Sequence, residues 1–178
     1  MAGRATRHDR RRSNLTDELN HKPPAMWTIL LIIHGLLAVA LLGAITHQVL
    51  NAWLPAPKPA TTFEQRFRAV HGGGYVNAII VLYILSFIAG AIIYPEYRVS
   101  IRVVVEQMEA WAENGAFELK EHFAAVGMAM LPAYWYYWHQ PGAEHHGTRK
   151  AITAILAFVV WWNFLTGHIL NNIRGFGA

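Results

Sequence analysis

The sequence contains no cysteine. That absence excludes a disulfide framework, a thiolate zinc site, an iron–sulfur cluster and a haem attached through a Cys-x-x-Cys-His motif. Charge is scarce as well: Asp, Glu, Lys and Arg supply 15% of the 178 residues, against roughly 25% in an ordinary soluble domain. The scarcity is concentrated, because residues 26–57, 70–95, 123–141 and 151–173 carry no charged side chain. A helix rises about 1.5 Å per residue and the hydrocarbon core is about 30 Å thick, so each run reads as a membrane span. A soluble globular enzyme is thereby excluded. Neither a phosphate-binding Gly-rich loop nor a Ser-His-Asp signature is found.

What remains is an all-α chain: a four-transmembrane-helix bundle with spans at about 26–50, 73–94, 119–139 and 151–173. Residues 1–24 form a basic tail containing Arg10, Arg11 and Arg12, closed by Pro23 and Pro24, and residues 25–178 form the transmembrane domain. The pI of about 9.6 comes largely from this tail, which reads as a topology signal and not as a nucleic-acid-binding arm. The first apolar run is too long for a signal peptide and lacks an Ala-x-Ala site, so it is expected to stay as an anchor. Between spans two and three, Val99, Ile101, Val103, Val104, Met108 and Trp111 form an apolar stripe, which predicts a short amphipathic helix at the interface. The band Tyr134-Trp135-Tyr136-Tyr137-Trp138 marks a membrane face. Lys and Arg cluster in the tail, at Arg98, Arg102 and Lys120, and at Arg174. Lys58, Arg66, Arg68, Arg149 and Lys150 lie in the other two loops. The positive-inside rule then places both termini in the cytoplasm, with a bacterial inner membrane as the expected location.

Ten histidines are present, six of them in or at the ends of spans. Ionisable side chains are costly inside a membrane, so each is a functional candidate; the plain alternative is an interhelical hydrogen bond or an interface anchor. Counting residues along each span sorts them by depth. His47, His71 and His139 fall towards the outer face, and His34, His122 and His168 towards the inner one. Two imidazoles from facing helices fill the two axial positions of a haem iron, although copper and zinc also accept imidazole. Glycines beside the histidines (Gly35, Gly43, Gly72–Gly74, Gly127 and Gly167) leave room for a macrocycle or simply pack helices closely. Phase narrows the choice. His34 and His47 lie about 140° apart around their helix, and His122 and His139 about 100° apart, so neither pair shares one stripe. His139, among aromatic residues, reads first as an interface group. The ligand pairs expected are His47 with His71 and His122 with His168, with His34 in reserve as an inner ligand or a quinone contact.

The His71-Gly72-Gly73-Gly74 opening of the second span, Glu121-His122-Phe123 in the third and Thr166-Gly167-His168 in the fourth resemble a four-helix di-haem b-type membrane cytochrome of the cytochrome b561-like superfamily. The resemblance spans about residues 26–173 and lies in layout and single histidines. The chain departs from the pattern in carrying six candidate histidines instead of four, and in the long 96–121 segment. The resemblance implies two non-covalent haem b groups and electron transfer between quinol and a redox partner protein, which would make the chain, if an enzyme, an oxidoreductase. Two other readings stand beside it. One is a cofactor-free accessory or assembly subunit of a larger membrane complex, docking through the 96–121 helix. The other is a copper- or zinc-handling membrane protein with His139, His145 and His146 as an outer entry site.

Overall fold

A computed structural model describes residues 25–54 and 59–173; the basic tail, Lys58 and Arg174 lie outside them. The described chain is helical, without a strand. Helix α1 runs Ala25–Trp53, followed by the short α2 (Phe63–Arg68) and a 3-10 turn, Gly72–Tyr75. Helix α3 covers Val76–Glu96, and after one wide π-type stretch, Tyr97–Arg102, the chain continues as α4, Val103–Gln107. Helices α5 (Trp111–His139) and α6 (His146–Ile173) complete it. Among the described residues three stretches are long and apolar enough to cross a membrane: Met26–Trp53, Gly72–Gln107 and His146–Ile173. Helix α5 is as long as α1 but less apolar, because Glu118, Lys120 and Glu121 open it and Tyr and Trp dominate its end.

The 96–121 segment differs from the single interfacial helix expected there. Pro95 has no N–H to give the ladder and crowds the preceding turn, and the backbone widens just beyond it. Helix α4 then ends in a Schellman closure: Ala110 N–H donates to the Val105 carbonyl at 3.1 Å and Glu109 N–H to that of Glu106 at 3.0 Å. Glu109 takes the left-handed conformation (φ 56°) that such a closure requires and that glycine usually supplies. Arg102 ties the resulting hairpin together, reaching Glu106 and Glu118 at 2.8 Å each. Of the expected stripe, Ile101 is buried, whereas Val99, Val103, Met108 and Trp111 are exposed.

The long helices pack α1 on α3 and α6, and α5 on α3 and α6. Their core is built from Leu41, Ile45, Ile79, Tyr83, Leu131, Tyr134, Leu156 and Val159. Outward faces remain apolar, with Ile32, Leu36, Leu85, Ile88, Phe158 and Leu165 exposed, as lipid-facing helices require. At the end where α1 closes, three polar side chains within little more than one turn clamp the 67–72 backbone. His47 Nε2–H donates to the Phe67 carbonyl at 2.7 Å, and Asn51 donates to those of Arg68 and Val70 at 2.7 and 2.9 Å. Gln48, fully buried, donates to the Gly72 carbonyl at 3.0 Å and accepts from the Tyr134 hydroxyl. Gln48→Leu leaves the buried Tyr134 hydroxyl without its partner and removes one of the donors to the Gly72 carbonyl. It is expected to lower stability by about 2 kcal/mol. Thermal unfolding in detergent checks this, and adding Tyr134→Phe should recover part of the loss.

Candidate functional site

A cavity of about 520 Å³ opens between α1, α3, α5 and α6, in the size range of cofactor and small-ligand sites. His34 of α1 and His168 of α6 both line it, as do Lys120 and Glu121 of α5. The bend after Pro95 supplies one wall, because it brings Tyr97 against Phe117 with ring centroids 3.8 Å apart and planes within 10°. Tyr94 stacks on the same pair.

His34 is half-buried and held in one orientation. Its Nδ1 lies 3.0 Å from the Ser86 carbonyl on α3; since a carbonyl only accepts, Nδ1 carries the proton and Nε2 keeps its lone pair. Metal-ligating imidazoles are commonly held this way, one ring nitrogen donating to a backbone oxygen while the other stays free. Gly90 makes room for the ring: a Cβ there would sit 3.3 Å from His34 Cε1. His168 stacks parallel to Phe164, with ring centroids 6.3 Å apart. The Asn172 amide approaches His168 Nε2 at 3.3 Å and has to turn away before that nitrogen serves as a ligand.

Lys120 is a residue that sequence reasoning used only as a topology signal. Its Nζ lies 5.0 Å from the Phe117 ring centroid, and its Cε would be 3.3 Å from a Cβ on Gly167. Ion pairs among the described residues involve Arg68, Arg102 and His145, none of them Lys120. Glu113 and Glu121 line the same cavity, so Lys120 shares it with two carboxylates although it forms no ion pair within 4 Å with either. The available signal was its position, immediately before the charge-free run of α5.

The remaining candidates lie elsewhere. His122 is exposed on α5, its Nδ1–H donating to the Glu118 carbonyl at 2.8 Å, and it does not line the cavity; Glu121, one position earlier and about 100° round the helix, does. His47 is buried between the rings of Phe67 and Tyr75, with centroids 4.5 and 4.6 Å away. Its Nε2–H is committed to the Phe67 carbonyl, and its Nδ1 is buried without a partner. His71 is exposed and lines a second, smaller cavity, whose walls do not include His47. His139 stacks on Trp135 and donates to its carbonyl, in keeping with an interface position. His145 sits 3.8 Å from Glu144. Among the described residues no three His, Asp or Glu side chains converge as a metal centre, so His139, His145 and His146 form no joint copper or zinc site.

What the inner cavity offers to a haem is two histidines from packed helices and a lysine, in a lining that also includes Glu113 and Glu121. The surroundings of His47, enclosed by two rings and a carbonyl, show no comparable space. The chain matches no protein-family model, no curated protein and no solved structure.

Proposed function

We propose that this chain is a membrane-embedded haem-b electron-transfer protein. In this reading α5 crosses the bilayer with the other three long helices, both termini face the cytoplasm, and the inner cavity is the cofactor site. The observation that supports it is that His34 and the exposed His168 line one cavity, with the free nitrogen of His34 set by Ser86. His34 and His168 would hold the haem iron, and the inner pair thus takes the reserve histidine in place of His122. A bound haem supplies reversible one-electron chemistry, with quinol as the expected donor and a partner protein as acceptor. The protein's own part is to orient His34 through the Ser86 carbonyl, to set the Lys120 charge against an acidic group, and to exclude water with Tyr97, Phe117 and Leu41. The accessory-subunit reading predicts a colourless protein.

The test is an absorption spectrum of the detergent-purified chain, oxidised and dithionite-reduced, with pyridine haemochrome quantitation. A b-type α-band with one haem per chain is expected. Two haems per chain would mean that the loop around His47 rearranges to admit an outer group. A colourless protein from haem-sufficient cells would overturn the proposal in favour of the accessory subunit.

A further inference from the structure

At the opposite end from the cavity, α1 and α5 finish and α6 begins around a second, smaller space of about 170 Å³. Its walls include His71, His146, Arg149 and Lys150, together with Asn51 and Trp138, and none of its lining residues is acidic. The nearest loop acid, Glu144, packs back on Gly142 and His145 instead. Arg149 and Lys150 place two positively charged residues in the wall of a space roomy enough for a phosphate group. Arg149 donates through one terminal nitrogen to the Gln140 and Gly142 carbonyls, and its Nε is buried with no acceptor. The first turn of the 28-residue α6, on which His146, Arg149 and Lys150 lie, adds the positive end of its dipole.

From this geometry we infer that the pocket formed by His71, His146, Arg149 and Lys150 binds a phosphate group, specifically the phosphodiester of an anionic phospholipid. Two observations favour lipid as the source. The pocket lies at the ends of two helices of membrane-span length, where headgroups reside. It is also flanked by indoles suited to that level: Trp138 in its wall, and Trp53, whose Nε1–H donates to the Lys150 carbonyl at 3.4 Å while Lys150 Nζ lies 5.5 Å from the Trp53 ring centroid. This inference rests on membrane embedding and is independent of haem.

The test is the Tm of the full chain in dodecylmaltoside, measured with dihexanoyl phosphatidylglycerol, with dihexanoyl glycerol lacking the phosphate, and with inorganic phosphate. Phosphatidylglycerol is expected to raise Tm by about 5 °C near saturation, with no rise from the other two. The His146→Asn/Lys150→Gln variant spares the loop contacts of Arg149 and should lose most of that shift; Lys150→Gln alone should lose part of it. An equal rise from inorganic phosphate would keep the pocket but overturn its assignment to lipid. A rise from dihexanoyl glycerol, no rise at all, or an undiminished rise in the double variant would overturn the pocket itself.

Discussion

If the chain binds haem as proposed, His34→Ala is expected to strip it from the purified protein, whereas His122→Ala leaves it bound. Both histidines lie on the inner side by residue count, and both donate Nδ1–H to a backbone carbonyl. They differ in where the free nitrogen is presented. His34 reaches across to α3 and lines the cavity, while His122 bonds back to its own helix and is exposed. Loss of an axial ligand should lower haem retention at least about tenfold, since even the groups that merely orient ligands change metal affinity by 10–100-fold. Haem per chain after affinity purification measures this directly. Imidazole added to the His34→Ala protein should restore part of the spectrum, a result that structural damage would not give. Full haem in His34→Ala with loss in His122→Ala would return the inner pair to His122 and His168, and would require α5 to turn about its axis.

The second large effect is expected at Gly127, where α3, α5 and α6 meet. Tyr83 of α3 lies across this glycine and donates its hydroxyl to the Ala124 carbonyl at 2.9 Å. A Cβ at position 127 would overlap the Tyr83 hydroxyl, lie 2.8 Å from Cζ of the same ring, and lie 2.9 Å from Val159 Cγ1. All three residues are buried, and close-packed cores respond to added volume by moving backbone. Gly127→Ala should therefore cost about 3 kcal/mol, seen as a Tm lower by roughly 10 °C. Tyr83→Phe removes the most crowded atom, so the double variant should recover about 1 kcal/mol relative to additivity, and a strictly additive result would count against this contact. Gly115 supplies the contrast. It lies on the same helix, is exposed, and has nothing within 4 Å of an added Cβ. Gly115→Ala should be neutral or gain up to about 1 kcal/mol from helix propensity.

The helices themselves were largely legible from composition. Runs at about 26–50, 73–94 and 151–173 correspond to α1, α3 and α6, because an apolar helix declares itself by length alone. Helix α5 extends beyond the expected 119–139 span, back to Trp111, because its first turns are polar and leave no hydropathy signal. The reversal at Glu109 carried no signal either, because a non-glycine residue occupies the left-handed position. The clamp made by His47, Gln48 and Asn51 was visible only as polar residues ending an apolar helix. Its backbone partners lie 17 to 24 residues away in sequence, and no local pattern names them.

Residue counting along each span therefore determined the number of long helices and how far along its helix each span histidine lies, because rise per residue is a constant of the helix. It could not determine which way each ring faces. That depends on the rotation of each helix about its axis, and the rotation is set by contacts such as Tyr83 against Gly127 and Gln48 against Tyr134. Only the tertiary structure placed His34 and Lys120 in one cavity, turned His122 away from it, and spent His47 on the Phe67 carbonyl of α2.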